Sequence, residues 1–365
     1  MIFTKQELSR YARHFVLPNF GMAAQEKLKN ARVLVVGAGG LGCPILMYLA
    51  AAGVGHIGII DGDVVDDSNL QRQVLYTTKD IGKSKAKTAL RKILAMNPFI
   101  KVKAYPVLLT KENALRIIAD YDIVADGTDN FPTRYLVNDA CVILNKINVY
   151  ASIFQYEGQV SVFNYLLDSG ERSPNYRDVF PMPPPPGLVP DCAEGGVLGV
   201  LPGIIGSMQA NEVIKVITRN EEVLHSKLFM FDALSATSRL LRISKNEKLL
   251  TINELIDYEV FCDVQKNEEN SVKEISAAAF QKMLSDKKDF QLIDVREPFE
   301  YEIRNLGGEL IPLGIILENV GKISKTKTVV LHCKSGSRSK KAIEQLEKLG
   351  FNNLYNLTGG IDLNG

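Results

Sequence analysis

The run Val33-Leu-Val-Val-Gly37-Ala-Gly39-Gly40-Leu-Gly42 narrows the possible folds more than any other stretch of this chain. Apolar, mostly β-branched residues in sequence, with no polar alternation, suit a strand covered on both faces, as in a parallel sheet. The glycines then turn the chain into a helix predicted from Leu41 to about Ala52. Without side chains at Gly37, Gly39, Gly40 and Gly42, backbone amides can approach a phosphate closely and the loop can take positive φ. The positive end of the following helix aims at the same anion. The unit is therefore expected to bind a nucleotide, and alone it leaves a nicotinamide or flavin dinucleotide and ATP both open.

The next elements bear on that choice. A second strand, Ile57–Ile60, ends in Asp61-Gly-Asp63. In doubly wound sheets an acidic residue roughly twenty positions past the loop takes a ribose hydroxyl, which marks Asp61; Asp63 equally suits a cap on the next turn. Ser68-Asn69-Leu-Gln-Arg72-Gln follows, then Gly82-Lys-Ser-Lys85, then an apolar strand Ile123–Ala125 running into Asp126-Gly-Thr128-Asp129-Asn130. Cations on the loops of a nucleotide-binding sheet are suited to neutralising a triphosphate. A carboxylate at a strand end is suited to Mg²⁺, with water and phosphate oxygens completing the shell. Ahead of all this, residues 4–28 alternate charge and apolar groups at helical spacing and read as a solvated surface helix carrying Arg10, Arg13 and His14.

Composition excludes several classes. With 43 Lys plus Arg against 42 Asp plus Glu, the net charge of +1 gives no electrostatic footprint for nucleic acid or a membrane surface. The five cysteines (Cys43, Cys141, Cys192, Cys262, Cys333) are odd in number and form no C-x-x-C pair, arguing for a reducing compartment. No signal peptide opens the chain, and the apolar run around residues 195–208 carries Pro202 and is too short to span a bilayer, so a cytoplasmic protein is expected.

Taken in order, these pieces resemble the adenylyltransferases that activate ubiquitin-like sulfur carriers, of the molybdopterin-synthase or thiazole-biosynthesis type. The resemblance rests on Arg10-Tyr-Ala-Arg13, the Gly37–Gly42 loop, Asp61-Gly-Asp63, Ser68–Arg72, Lys85, Thr128-Asp129-Asn130, Glu157-Gly-Gln159 and the stretch from Gly187 through Cys192 to Gly203. It covers about residues 4–245. It implies ATP, with Asp61 on the ribose, Asn69, Arg72 and Lys85 on the phosphates, and Asp129 at Mg²⁺. It also implies a homodimer in which Arg13 reaches into the partner subunit's site. In such enzymes the cysteine matching Cys192 takes part in thioester or acyl-disulfide chemistry in some members and is dispensable in others. Asp191 and Glu194 beside it disfavour a thiolate. Cys43 and Cys141, each in an apolar run, read as core residues.

Many relatives hold a structural zinc with two C-x-x-C pairs. Here Pro174-Asn-Tyr-Arg-Asp178 stands where the first pair would be, and residues 242–262 supply only Cys262. No zinc is expected.

After the packed helix expected over residues 204–217 the composition turns polar, and residues 246–272 read as a linker. Residues 273–365 alternate strand and helix signals on a smaller scale. The strand Thr328–His332 ends at Cys333-Lys-Ser-Gly-Ser-Arg338, and a helix is expected over Ser339–Leu349 with Ile343, Leu346 and Leu349 on one face. A cysteine at a strand tip, cupped by a Gly/Ser loop opening into a helix and flanked by Lys334 and Arg338, is placed for nucleophilic sulfur chemistry. Cysteine phosphatases use C-x5-R, whereas the count here is C-x4-R. That count, with Ile293-Asp-Val-Arg-Glu-Pro298 and Leu357-Thr-Gly-Gly-Ile361, resembles a rhodanese domain, whose cysteine carries sulfane sulfur as a persulfide.

The expected architecture is α/β: a Rossmann-like, mostly parallel sheet over residues 1–245, a linker, and a small rhodanese-like domain. The expected function is ATP-dependent adenylation of a Gly-Gly-terminated sulfur carrier, then sulfur transfer from Cys333, the sulfur coming from a cysteine desulfurase or a small sulfane-sulfur compound. The alternative, a nicotinamide-dependent oxidoreductase with a regulatory phosphatase-like module, leaves Arg72, Lys85 and Asp129 without a role.

Overall fold

A computed structural model of the chain describes residues 2–184, 195–247, 251–263 and 272–362. It divides into two units, Met1–Val264 and Gln265–Gly365.

The first unit is built on an eight-stranded sheet with β1 Arg32–Val36, β2 His56–Ile60, β3 Lys101–Tyr105, β4 Ile123–Asp126, β5 Ile147–Phe154, β6 Glu157–Phe163, β7 Lys227–Asp232 and β8 Thr237–Arg242, in the spatial order β3-β2-β1-β4-β5-β6-β7-β8. The first five strands run parallel and the last three antiparallel. The unbroken apolar run at Val33–Val36 has its physical reason in two cores. Val33 and Val35 pack on one face with Ile57, Ile59 and the helices Gly42–Ala52, Lys85–Met96 and Leu201–Thr218. Leu34 and Val36 pack on the other with Ile60, the helix Phe131–Ile143 and an aromatic group of Tyr135, Tyr150, Phe163 and Tyr176. A parallel strand buried on both sides cannot alternate. The sulfhydryls of Cys43 and Cys141 lie in these cores, fully buried, and burial pushes the Cys43 thiol up to about 12.

Two expectations need correction. The solvated helix over residues 4–28 is three short helices, Lys5–Arg10, Ala12–Phe15 and Gly21–Asn30. It breaks at Tyr11, whose ring is buried against Gly53: a Cβ there would lie 2.5 Å from it. The linker expected from residue 246 is also misplaced. Leu255, Ile256, Phe261 and Cys262 pack against the aromatic core, and Tyr258 is buried in it, so the first unit continues to Val264.

The second unit is a five-stranded, all-parallel sheet of β9 Glu274–Ile275, β10 Phe290–Asp294, β11 Glu309–Leu310, β12 Thr328–His332 and β13 Leu354–Leu357, ordered β11-β10-β12-β13-β9. The helix after β12 starts at Ser337, two residues earlier than expected, because Gly336 supplies a positive φ of 106° at its N-cap. Ile343 and Leu346 are buried as expected, whereas Leu349 falls past the helix end and is 50% exposed.

Candidate active sites

Three strand ends converge in the first unit: β1 runs into Gly37, β2 into Asp61 and β4 into Gly127. β1 lies between β2 and β4, where the chain switches from one side of the sheet to the other, and ligands of such sheets bind outside the strand ends at this point. The crevice is a cavity of about 620 Å³ lined by Gly37, Gly39, Gly40, Asp61, Asp63, Arg72, Lys85, Thr128, Asp129 and Asn130, with Leu41, Ile60, Leu108, Leu109 and Leu136 as its apolar surface. That volume is typical of a small-molecule site.

The glycines have separable reasons. Gly37 has φ +88°, and its Cβ would sit 2.9 Å from the Gly127 carbonyl oxygen. A Cβ on Gly42 would lie 2.0 Å from the Gly37 carbonyl oxygen, and one on Gly40 3.1 Å from Pro202. Gly37 and Gly42 are required by packing, whereas at Gly40 the Pro202 ring would have to give by a few tenths of an ångström. At Gly39 a Cβ meets only the Gln73 side-chain amide at 3.5 Å, an ordinary contact, and φ is not positive. The fold does not demand glycine at 39, which leaves close approach of a ligand.

The acids and cations are arranged around this loop. Asp61 Oδ2 accepts the Ala38 N–H at 2.8 Å and Oδ1 accepts the Asp63 N–H at 2.8 Å, so the carboxylate braces the loop while lining the cavity. Burial raises its pKa, and the two amides offset this only in part. Lys85 opens its helix with a nearly buried side chain and pairs with Asp63 at 2.9 Å. Arg72 donates to the Ser68 carbonyl at 3.2 Å. Thr128 donates its hydroxyl to Asp126 at 2.6 Å, and Asn130 caps the helix Phe131–Ile143 by accepting the Thr133 N–H at 2.9 Å. Between them Asp129 stands exposed in the cavity wall. Its lone carboxylate fits Mg²⁺, which keeps most of its shell from water and phosphate; among the described residues no group of three His, Cys, Asp or Glu is clustered as a metal cage.

Other expected residues lie elsewhere. Asn69 is outside the cavity wall, its amide on the Ser68 hydroxyl at 3.3 Å. Arg13 is exposed on the short helix Ala12–Phe15. Cys192 lies outside the described residues.

The cavity also has walls outside the motifs. Residues 107–112 follow β3, where the strand-end rule applied to a third strand finds them. Gln73 and Arg134 are buried at 4% and 6% exposure, with Gln73 Oε1 and Arg134 Nε lacking a hydrogen-bond partner among the described residues. Ile256, Asp257, Tyr258 and Glu259 arrive from the far end of the unit, carrying no nucleotide signature.

The two stretches where relatives place zinc pairs lie side by side. Arg177 grips Asp139 through Nε at 2.8 Å and Nη2 at 2.7 Å and stacks over Phe261 at 4.7 Å, while Asp178 accepts the Asn246 N–H at 2.8 Å. The Arg177–Asp139 ion pair ties the first of them to the helix Phe131–Ile143.

In the second unit Cys333 follows β12 and is 1% exposed. Its Sγ accepts the Gly336 N–H at 3.1 Å, an inward-pointing donor of the kind a sulfur anion needs, and lies 3.6 Å from the Ser339 hydroxyl, which also reaches Asn356 Oδ1 at 2.6 Å. Arg338 does not point its charge at that sulfur alone: it holds Glu300 with two bonds of 2.6 and 2.8 Å. Glu300 comes from the helix Pro298–Ile303, whose carbonyl end is tied by Arg296, itself locked on buried Asp294 at 2.6 Å. The motif at residues 293–298 therefore fastens the cysteine loop from below.

Comparison with known proteins gives a family for each unit. The ThiF family matches residues 11–251, and the rhodanese-like domain matches residues 276–363. A Mycobacterium tuberculosis protein named probable adenylyltransferase/sulfurtransferase MoeZ is 46% identical over 364 residues, spanning 98% of this chain and 93% of that one. The Thermus thermophilus sulfur carrier protein adenylyltransferase is 52% identical over 271 residues, covering 73% of this chain and all (100%) of its own. The Drosophila sechellia adenylyltransferase and sulfurtransferase MOCS3 is 41% identical, over 94% of this chain and 79% of that one. Escherichia coli MccB shares the fold, with a TM-score of 0.58 at 23% identity over 68% of this chain and 73% of its own. None of these names supports the oxidoreductase alternative. The chain belongs to the ThiF family and carries a C-terminal rhodanese-like domain: it is an adenylyltransferase joined to a sulfurtransferase.

Proposed function

We propose that the enzyme adenylates the C-terminal Gly-Gly carboxylate of a ubiquitin-like sulfur carrier with ATP and then converts it to a thiocarboxylate with sulfur held on Cys333. The observation that carries this reading is the single cavity in which the glycine loop, Arg72, the Lys85–Asp63 pair and Asp129 meet. A redox dinucleotide needs the loop and Asp61 but gives the two cations and the exposed carboxylate nothing to do.

The Gly39 loop takes the phosphates on its amides, and Asp61 accepts a ribose hydroxyl. Arg72 and Lys85 neutralise charge that builds on the α-phosphate and the departing pyrophosphate, joined by Arg13 from a partner subunit. Mg²⁺, when bound, supplies Lewis-acid stabilisation of the same charge, and Asp129 is the residue that would hold it. The carrier carboxylate displaces pyrophosphate and becomes an acyl-adenylate. The Cys333 persulfide then attacks the acyl carbon and AMP leaves, giving a carrier–C(O)–S–S–Cys333 disulfide. A second thiolate, from Cys192 or an external thiol, attacks Cys333 Sγ, releases the carrier thiocarboxylate and forms a disulfide with Cys333. Cys333 is recharged by a cysteine-desulfurase persulfide or a small sulfane-sulfur donor once a reductant has freed it. The Gly336 N–H, which donates to Cys333 Sγ, stabilises the thiolate when that sulfur is free.

The reading places the enzyme in the cytoplasm, where its cysteines stay reduced. Among the described residues no helix is long and apolar enough to cross a membrane. Mass spectrometry of the carrier tests the proposal: Cys333→Ala forms acyl-adenylate and no thiocarboxylate. Unchanged thiocarboxylate formation with a persulfide donor by that variant would refute it.

A further inference from the structure

Residues 251–263 lie at the end of the first unit, past or at the edge of the 11–251 stretch that matches the ThiF family, yet Ile256, Asp257, Tyr258 and Glu259 line the nucleotide cavity. One carboxylate fastens them there. Tyr258 Oη donates to Asp139 Oδ2 at 2.8 Å, and Arg177 holds the same carboxylate from the other side through its two bonds of 2.8 and 2.7 Å. Phe261 packs edge-on against Tyr135 with ring centres 5.2 Å apart. Asp139 and Tyr258 are 1% and 6% exposed. Asp139 belongs to the helix Phe131–Ile143, which starts directly after Asp129 and Asn130 and lends Pro132, Thr133 and Arg134 to the cavity.

We propose that Tyr258 is a positioning residue for the nucleotide. Anchored on Asp139, it holds residues 256–259 as a wall of the ATP site, so the last segment before the sulfur-transfer unit is part of that site. The inference rests on ATP occupying the cavity. Its consequence is reciprocal: a wall that raises nucleotide affinity must itself be stabilised by nucleotide, which couples ATP occupancy to the order of residues 251–263. A merely structural strut would affect folding and leave ATP affinity alone.

The test uses the full chain. In ATP–pyrophosphate exchange, Tyr258→Phe is expected to raise the ATP KM by roughly threefold to tenfold, with kcat within about twofold, because only the anchor is lost. Ile256→Ala leaves the Asp139 hydrogen bonds intact, trims the wall together with some packing on the aromatic core, and is expected to raise KM likewise, which keeps the test decisive if Tyr258→Phe folds poorly. In the wild type a non-hydrolysable ATP analogue is expected to slow amide hydrogen exchange across residues 251–263. Both variants keeping a wild-type KM, or hydrogen exchange in 251–263 unmoved by the analogue, overturns the proposal. A wild type that binds the analogue nowhere and shows no exchange activity would instead sink the ATP reading beneath it.

Discussion

Gly39→Ala separates what the loop does for the fold from what it does for the ligand. The new methyl would sit 3.5 Å from the Gln73 amide nitrogen with nothing else within 4 Å. Steric cost is therefore close to zero, and restricting the unfolded chain contributes up to about 0.4–1 kcal/mol of stabilisation. Folding stability should stay within about 1 kcal/mol of wild type. The same methyl projects into the space where the loop amides must reach a phosphate. Losing even one charge-assisted amide contact costs about 1.5–3 kcal/mol, a tenfold to hundredfold loss of nucleotide affinity. Gly42→Ala is the control with the opposite signature. Its Cβ would lie 2.0 Å from a backbone oxygen, so the loop or helix must move, at about 1–3 kcal/mol or more. Urea denaturation and calorimetric titration with a non-hydrolysable ATP analogue give the two axes. A Gly39→Ala protein that binds the analogue as tightly as wild type would refute the argument that this glycine serves the ligand.

Three further outcomes follow from the geometry. Asp80 is held well below the usual carboxylate range chiefly by Lys92 at 2.6 Å, which with the Thr77 hydrogen bonds overcomes the opposing effect of burial. A depressed pKa stabilises the fold above the unfolded-state value of 3.8 and loses that stabilisation as the pH falls further. Asp80→Asn should therefore cost about 1–3 kcal/mol at pH 7, a cost that starts to shrink only below pH 3.8 and persists in large part at pH 3, read from denaturation midpoints. Asp61 is shifted the other way, raised by burial, so it protonates above the ordinary aspartate range and nucleotide affinity should weaken there on acidification. Asp61→Asn should bind more weakly at pH 7 and lose that acid limb in a titration series. Glu300→Gln removes the charge that holds Arg338, and sulfur transfer from the Cys333 persulfide to cyanide should slow by roughly threefold to tenfold; an unchanged rate would mean that the pair does not shape the loop.

How far the sequence alone reached depends on the range of the interactions involved. Val33–Gly42, Ile57–Asp61 and Thr328–Arg338 each write strand and turn within about ten residues, and each folds as read except that the helix after Cys333 opens at Ser337, two residues early. The antiparallel end of the sheet, β6–β8, carried no comparable local signature. The linker was misread because residues 246–263 are polar at many positions and hide their few anchors: Tyr258 is held by Asp139, more than a hundred residues earlier, and Phe261 by Tyr135 and Arg177. The same distance concealed the wall at 256–259. Thr128 and Asn130 were legible as parts of a site motif, but not as the turn and cap that fix Asp129 between them. Arg338 was expected to favour the sulfur anion; its bidentate hold on Glu300 comes from a helix whose role no local pattern announces.

The account stands on a triphosphate being broken in the crevice between β1, β2 and β4. Exchange of labelled pyrophosphate into ATP, stimulated by a sulfur carrier ending in Gly-Gly, measures that step alone. The wild type and Cys333→Ala should exchange at equal rates, and Asp129→Ala should fall by at least about a hundredfold. Exchange that survives Asp129→Ala, or that disappears in Cys333→Ala, would contradict it.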